Sequence, residues 1–328
     1  MSAADPLPPD LELPLQQRVL LTSACRAADA LPRAADAGAV GEDAHGAYQV
    51  MHNGVRVVRG GYCGAWMEEI IRRLRGVHEP QEERVFHEAV QRMPAGATML
   101  ELGSYWAWYS LWLRSVVPDA RNFVVEPDPG YLAVGRANFA RNGYTAEFTQ
   151  ACVGSASRDA VRFACESDGQ TRDIPQICVD DFLAARGIER VDMLHADIQG
   201  AEIKMLKGAR ASMAAGRIRF LFLSTHHHSI SGDPLTHQHT LSQLRKAGAR
   251  ILVDHTVAES FSGDGLVVAS FDPRDADLEG LPLSRCRASD NFFREIEYDL
   301  ADAWAELERL RAWRPGRRIA RWLGRSAP

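Results

Sequence analysis

The sequence lacks the glycines that a dinucleotide loop needs. Where the apolar run "TMLEL" ends, Glu101 and Leu102 are followed by a single glycine, Gly103, and then by Ser104, Tyr105, Trp106, Ala107, Trp108 and Tyr109. A pyrophosphate sits on backbone N–H groups that side chains would block, so the missing G-x-G-x-x-G pattern speaks against NAD. The six cysteines form no C-x-x-C pair, which reads as free thiols in a reducing cytoplasm. No apolar run approaches the ~18 residues of a membrane span. Residues 1–17 are acidic and proline-rich, with neither a basic start nor an apolar stretch, so they read as a flexible leader and not as a signal peptide. A formal net charge of -5 over 328 residues argues against a chain-wide nucleic-acid footprint.

What is present divides into four parts. After the leader, residues 18–96 read as a helical and hairpin segment: Ala- and Leu-rich helices broken at Pro32, a hairpin over Tyr48–Val58 turning at Asn53-Gly54, and two helices, "AWMEEIIRRLRG" and "HEPQEERVFHEAVQRM". Residues 97–275 alternate strand and helix. The strands are "TMLEL", "NFVVEP", "EFTQACVG", "VDMLHADI", "IRFLFLS", "RILVDH" and "GLVVASF", and "AEIKMLKGARASMAAG" reads as one helix. This rhythm predicts a doubly wound α/β sheet with ligands bound outside the carboxyl ends of its strands. Glu101, Gly103, Glu126, Asp197 and the histidines after Ser224 then share one rim. Residues 276–328 read as a helical tail that becomes basic, with seven arginines and no acid from Arg309 onward.

A nucleoside without phosphates is easier to house in a one-glycine loop. Glu126 ends the next strand 23 residues after Gly103, the spacing at which a carboxylate meets ribose hydroxyls. Glu101 is in position to face an amino group. Together these features fit S-adenosylmethionine better than NAD. The stretches "MLELGSYWAWYSLWL", "FVVEPDPGYLAVGRANFARNG", "CVDDFL" and "VDMLHADIQGAEIKMLKGA" resemble, in order and spacing, the FkbM family of S-adenosylmethionine-dependent methyltransferases, over about residues 78–272. The block Asp197, Gln199, Gly200, Glu202 is its most specific element. The resemblance implies a class I, Rossmann-like methyltransferase fold, with Glu101, Gly103 and Glu126 lining the cofactor; Ser104, Tyr105 and Pro127, their neighbours in the chain, join the expected cofactor set. It also departs from the family, which usually has glycine where Ala107 stands and often Asn where Tyr105 stands.

A second polar stretch, "LSTHHHSISGDPLTHQHTLSQL", holds His226, His227, His228, His237 and His239, and "VDHTVAESFSGDG" adds Asp254, His255 and Glu259. Methyl transfer to an alcohol requires loss of the hydroxyl proton, which a neutral histidine or a carboxylate can accept. Asp197, His226, His228 and His255 are the candidates for that role. The same residue types at several strand ends suit a divalent cation, so Asp197, His226, His228, His255 and Glu202 form a candidate metal set, although no fixed-geometry signature is present. A polar loop of hydrogen-bonding and capping histidines is the third reading. Glu79 and Glu82 of "HEPQEE", with Trp106 and His227, are candidates for contact with the substrate.

FkbM-like enzymes methylate hydroxyls of sugars and of natural-product scaffolds, so the resemblance implies an O-methyltransferase, and Tyr62, Trp66, Trp106 and Trp108 are rings that suit a sugar face. The arginine-rich tail, with Trp313, Ile319, Trp322 and Leu323, suits peripheral contact with the inner face of a membrane, or packing against the body or a second subunit in a homo-oligomer. Two alternatives stay open. The same fold serves nucleic-acid methyltransferases, and a non-catalytic scaffold with a degenerate cofactor loop would carry the same pattern.

Overall fold

The computed structural model describes residues 7, 8, 11–287, 304 and 307–310. Most of the basic tail, and with it the expected membrane or subunit contact, lies outside the described residues.

The N-terminal segment contains α1 (Leu13–Ala24), β1 (Val40–Asp43), β2 (Gly46–Val50), β3 (Arg56–Val58), α2 (Ala65–Arg73) and α3 (Pro80–Val90). β1, β2 and β3 form an antiparallel sheet in that order, and Gly54, at a φ of +86°, supplies the bend expected between the last two. α1 begins at Leu13, inside the stretch expected to be a flexible leader. Thr22 anchors it by donating to the Phe261 carbonyl at 2.7 Å.

The remaining elements are β4 (Thr98–Leu102), α4 (Trp108–Val116), β5 (Arg121–Val125), α5 (Pro129–Arg141), β6 (Glu147–Thr149), β7 (Cys152–Val153), β8 (Arg158–Ala164), β9 (Thr171–Ile177), α6 (Val179–Ala185), β10 (Val191–Ala196), α7 (Glu202–Gly208), α8 (Arg210–Ala214), β11 (Ile218–Thr225), α9 (His228–Ser231), α10 (Thr236–Lys246), β12 (Arg250–His255) and β13 (Gly265–Ser270). The main sheet has the order β12-β13-β11-β10-β4-β5-β6. Its strands run parallel except β13, which is antiparallel to both β11 and β12. The order reverses between β10 and β4, and there the chain leaves two neighbouring strand ends in opposite directions and opens a crevice.

Three local expectations change. "EFTQACVG" divides after Thr149: β6 stays in the main sheet, whereas β7 joins a second sheet with β9 and β8. The β8–β9 hairpin was not legible because its exposed strands carry polar residues and Pro175. The helix expected over 201–216 breaks at Ala209. A Cβ on Gly208 would stand 2.6 Å from the Gly154 carbonyl, and Asp180 accepts from Ala211 N–H and Ser212 N–H to start α8.

Alternation along buried strands decides which polar groups meet. Met99, Val124, Met193, Phe220 and Phe222 face the cluster built with α2, α3 and α4, while Leu100, Leu102, Leu194, Leu221 and Leu223 face α6, α7 and α10. By the same period of two, Glu101, His195 and Ser224 point toward the N-terminal helices.

Candidate active site

The loop from β4 to α4 takes left-handed backbone conformations at every other residue: Gly103 (+69°), Tyr105 (+46°) and Ala107 (+57°). Only the first is glycine. For an L-residue this conformation costs roughly 1–2 kcal/mol, so contacts must hold Tyr105 and Ala107 in place. Tyr105 N–H donates to Glu126 Oε2 at 2.8 Å, and its ring stacks on Tyr131 with centroids 3.6 Å apart. Its hydroxyl accepts from Cys63 N–H at 3.3 Å, and Ala107 N–H donates to the Ser104 carbonyl at 2.7 Å. Gly103 has no substitute, because a Cβ there would overlap the Asp197 carbonyl. Gly103 and Ser104 also donate to the Val125 carbonyl, so the loop is joined to β5 as well as to the end of β10.

Glu126 lies beyond β5, buried, and accepts Tyr105 N–H and Asp128 N–H at 2.8 and 2.9 Å. Burial pushes its carboxyl up to about 7, against the lowering effect of those two donors. Pro127 follows it, and Asp128 caps α5. A carboxylate has about four acceptor positions, which leaves Glu126 room for ribose hydroxyls. Ser104 Oγ is buried without a hydrogen-bond partner. An orphan hydroxyl and an under-used carboxylate on one crevice fit a nucleoside. Glu101 is engaged elsewhere: it is buried and accepts from Ser110 N–H at 2.9 Å, in the first turn of α4.

The histidine rim gathers around His226. Its Nδ1 lies 2.9 Å from Glu202 Oε1, and its Nε2 lies 3.0 Å from Asp197 Oδ1 and 3.6 Å from Asp264 Oδ1. The imidazole is fully buried, whereas the side chains of Asp197 and Asp264 keep 21% and 20% of their surface. Burial alone would lower the His226 pKa, but Asp264, Asp197 and Glu202 outweigh it and raise it well above the ordinary value, so the ring is an imidazolium. Asp264 was missed in the sequence. It precedes β13, and because β13 runs against its neighbours, its start lies on the rim where the parallel strands end. The acid between two glycines in "SGDG" was the available signal.

The "HEPQEE" segment is buried rather than open to a substrate. Glu82 Oε1 meets His195 Nε2 at 2.8 Å, on the face that alternation assigns to both. Glu79 accepts from the Tyr109 hydroxyl at 2.8 Å and lies 3.2 Å from His78 Nε2; His78 Nδ1 reaches Glu83 at 2.5 Å. Burial lowers the His78 pKa but Glu79 and Glu83 overcome it, lifting it to about 10, and His78 in turn brings Glu79 down to about 2 despite burial. Trp106 is 4% exposed, with one face stacked on Tyr62 at 4.7 Å, and Trp108 is fully buried. Neither ring is open to a sugar.

The other expected residues lie apart. His255 Nδ1 is 3.0 Å from the Gln81 amide, and burial draws its pKa down to about 4. His227 caps α9 through Ser229 N–H, and His228 lies against the His227 ring, centroids 4.1 Å apart. His237 joins Thr225 to Asp254, and His239 meets Asp233. The five-residue metal set is therefore not assembled. Among the described residues no three His, Cys, Asp or Glu side chains form a group that could hold a metal ion. No helix of the described residues is long and apolar enough to cross a membrane.

A doubly wound sheet with one reversed strand, a bent loop after β4, an acid after β5 and a polar rim at the switch point define the class I methyltransferase arrangement. Residues 96–251 match the family described as Methyltransferase FkbM domain. That stretch is an FkbM methyltransferase domain, dependent on S-adenosylmethionine, as the resemblance implied. Similar solved structures include the precorrin-6y C5,15-methyltransferase of Geobacter metallireducens GS-15 (12% identity, 57% of this chain and 87% of that chain, TM-score 0.37). The N-terminal domain of human METTL16 in complex with SAH is another (12%, 59% and 71%, TM-score 0.36). No curated protein matches the chain.

Proposed function

We propose that the protein transfers the methyl group of S-adenosylmethionine to a hydroxyl of a sugar or of a glycosylated natural product. The observation that carries this reading is the His226 cluster. Two partly exposed carboxylates share one buried imidazolium at the end of β10, where the Asp197 carbonyl touches the Gly103 loop. When bound, the cofactor supplies an electrophilic methyl on a sulfonium. Glu126 and the backbone of residues 103–105 hold its nucleoside, and Ser104 Oγ offers a further polar contact. Asp197 and Asp264 accept hydrogen bonds from acceptor hydroxyls, and a pair of carboxylates suits vicinal hydroxyls better than a lone alcohol. A carboxylate of the cluster takes the hydroxyl proton, since the imidazolium already holds one. No metal enters this scheme.

Incubation with methyl-tritiated cofactor and a panel of methyl glycosides, followed by periodate treatment to locate the new ether, tests the reading. Label in a methyl ether at a former hydroxyl of the sugar is the expected result. Label on RNA alone would replace it with the nucleic-acid reading. Failure to bind S-adenosylhomocysteine calorimetrically would leave a scaffold without catalysis.

A further inference from the structure

We infer that Asp264, in the loop that leads into β13, is the residue that removes the acceptor proton, and that Asp197 and His226 are its positioning partners. The inference rests on the proposed hydroxyl acceptor.

Geometry separates the two carboxylates. Asp197 Oδ1 accepts from the Gln199 amide at 3.3 Å, and His226 Nε2 lies 3.0 Å from it without completing a hydrogen bond. Asp264 Oδ1 stands 3.6 Å from the same Nε2, beyond hydrogen-bond range, and Asp264 accepts no hydrogen bond from another described residue. An 80% buried carboxylate without a donor lacks what normally repays its desolvation, and an incoming hydroxyl supplies it. The chain leaves no other place for this group. A Cβ on Gly265 would approach Thr225 Oγ1 to 2.5 Å and the His255 carbonyl to 2.9 Å, so β13 begins flush against β11 and β12 and fixes Asp264 at the rim.

The surroundings favour a base that works near neutrality. The charged and titratable groups facing Asp264 are His226, Asp197, Arg18, Glu79 and the Tyr62 hydroxyl. Burial, then the nearby Asp197 and Glu79 carboxylates, raise its carboxyl, while His226 and Arg18 hold the rise to about 7. A general base works best when its pKa lies near the operating pH. In the step itself, the acceptor oxygen gives an electron pair to the methyl carbon, and the carbon–sulfur pair stays on sulfur, making a neutral thioether. The hydroxyl proton passes to Asp264 Oδ, and the O–H pair remains on the new ether oxygen.

Two measurements test this. In protein carrying 13C-carboxyl aspartate and saturated with S-adenosylhomocysteine, the signal lost in Asp264→Asn should shift when a methyl glycoside binds, and a signal that stays in place while the glycoside binds would overturn the inference. With the methyl glycoside panel, Asp264→Asn should lower kcat by about 10²–10⁴-fold while S-adenosylhomocysteine affinity stays within twofold, and Asp264→Glu should recover part of the rate with a displaced pH profile. Unchanged turnover in Asp264→Asn overturns the inference and leaves the proposed function standing. Wild-type protein that binds S-adenosylhomocysteine but methylates no glycoside overturns both.

Discussion

Two clusters of buried histidine and glutamate or aspartate lie on this protein, and they are built differently. In the first, His78 stands between Glu79 and Glu83 while His195 pairs with Glu82, and α3 supplies Glu82 and Glu83. In the second, three carboxylates surround the single ring of His226, and two of them keep about a fifth of their surface. The first cluster is almost closed to solvent, although Glu83 Oε2 and His195 Nδ1 lack hydrogen-bond partners, and its Glu82–His195 and Glu79–Tyr109 contacts tie the N-terminal segment to the main sheet and α4. The second carries surplus negative charge and an acceptor without a donor, so it has capacity left for a ligand. Unpartnered buried atoms occur in both clusters, so what sets the second apart is that two of its carboxylates reach solvent.

That contrast can be broken at several points. The largest effect is expected from Glu83→Ala in the closed cluster. Removing one partner strands buried His78, and the loss of roughly 3–5 kcal/mol should appear in urea unfolding, while any protein that remains folded keeps its affinity for S-adenosylhomocysteine. A loss below 1 kcal/mol would mean that the closed cluster does not hold the segment. pH sharpens the same point. The His78 pKa is raised to about 10 in the folded chain, so its contribution is fully present below its unfolded value and is lost as pH rises through 10. The melting temperature should therefore fall between pH 8 and 10.5, and it should fall less steeply in His78→Asn.

In the cofactor crevice, Glu126→Ala removes a charged acceptor and leaves Tyr105 N–H and Asp128 N–H without it. S-adenosylhomocysteine affinity should fall by about 10- to 100-fold, from the ~1.5–3 kcal/mol of a charged hydrogen bond. Unchanged calorimetric affinity would remove Glu126 from the site. Asp197→Asn keeps the shape but weakens the hold on His226, and turnover on a methyl glycoside should drop about tenfold with unfolding free energy nearly unchanged. The smallest effect is expected from Ala107→Gly. Relief of left-handed strain, ~1–2 kcal/mol, is opposed by unfolded-chain entropy of ~0.4–1 kcal/mol and the lost burial of one methyl, ~0.8 kcal/mol. The net change in unfolding free energy should lie within about 1 kcal/mol, and a larger loss would show that the buried Ala107 methyl matters more than its backbone strain.

Much of the architecture was legible because strand, turn and helix alternate in lengths that only a doubly wound sheet accommodates. Glu126 was legible from its spacing after Gly103, and the resemblance over about residues 78–272, of which the family match covers 96–251, rested on motifs in sequence order. The rim was less legible. Three consecutive histidines drew attention, yet only His226 enters the reactive cluster; His227 and His228 turn to the start of α9, and His255 turns to Gln81. Side-chain direction at the end of a strand depends on where the next element begins, which periodicity does not carry. The aromatics after Gly103 suggested a ligand wall. Trp106 and Trp108 instead fill the space between the sheet and the N-terminal segment, because that segment brings its own rings, Tyr62 and His78, to meet them.

The sequence by itself determined the alternating strands and helices of the main sheet and placed Gly103 and Glu126 at the ends of neighbouring strands, since these follow from local periodicity and from spacing within one strand–helix–strand unit. Only the tertiary structure decided that Asp264, 67 residues after Asp197 in the chain, stands beside it at the same nitrogen of His226. A reversed strand carries its beginning to the rim where parallel strands end, and strand direction is a property of the assembled sheet, not of the six residues that form the strand.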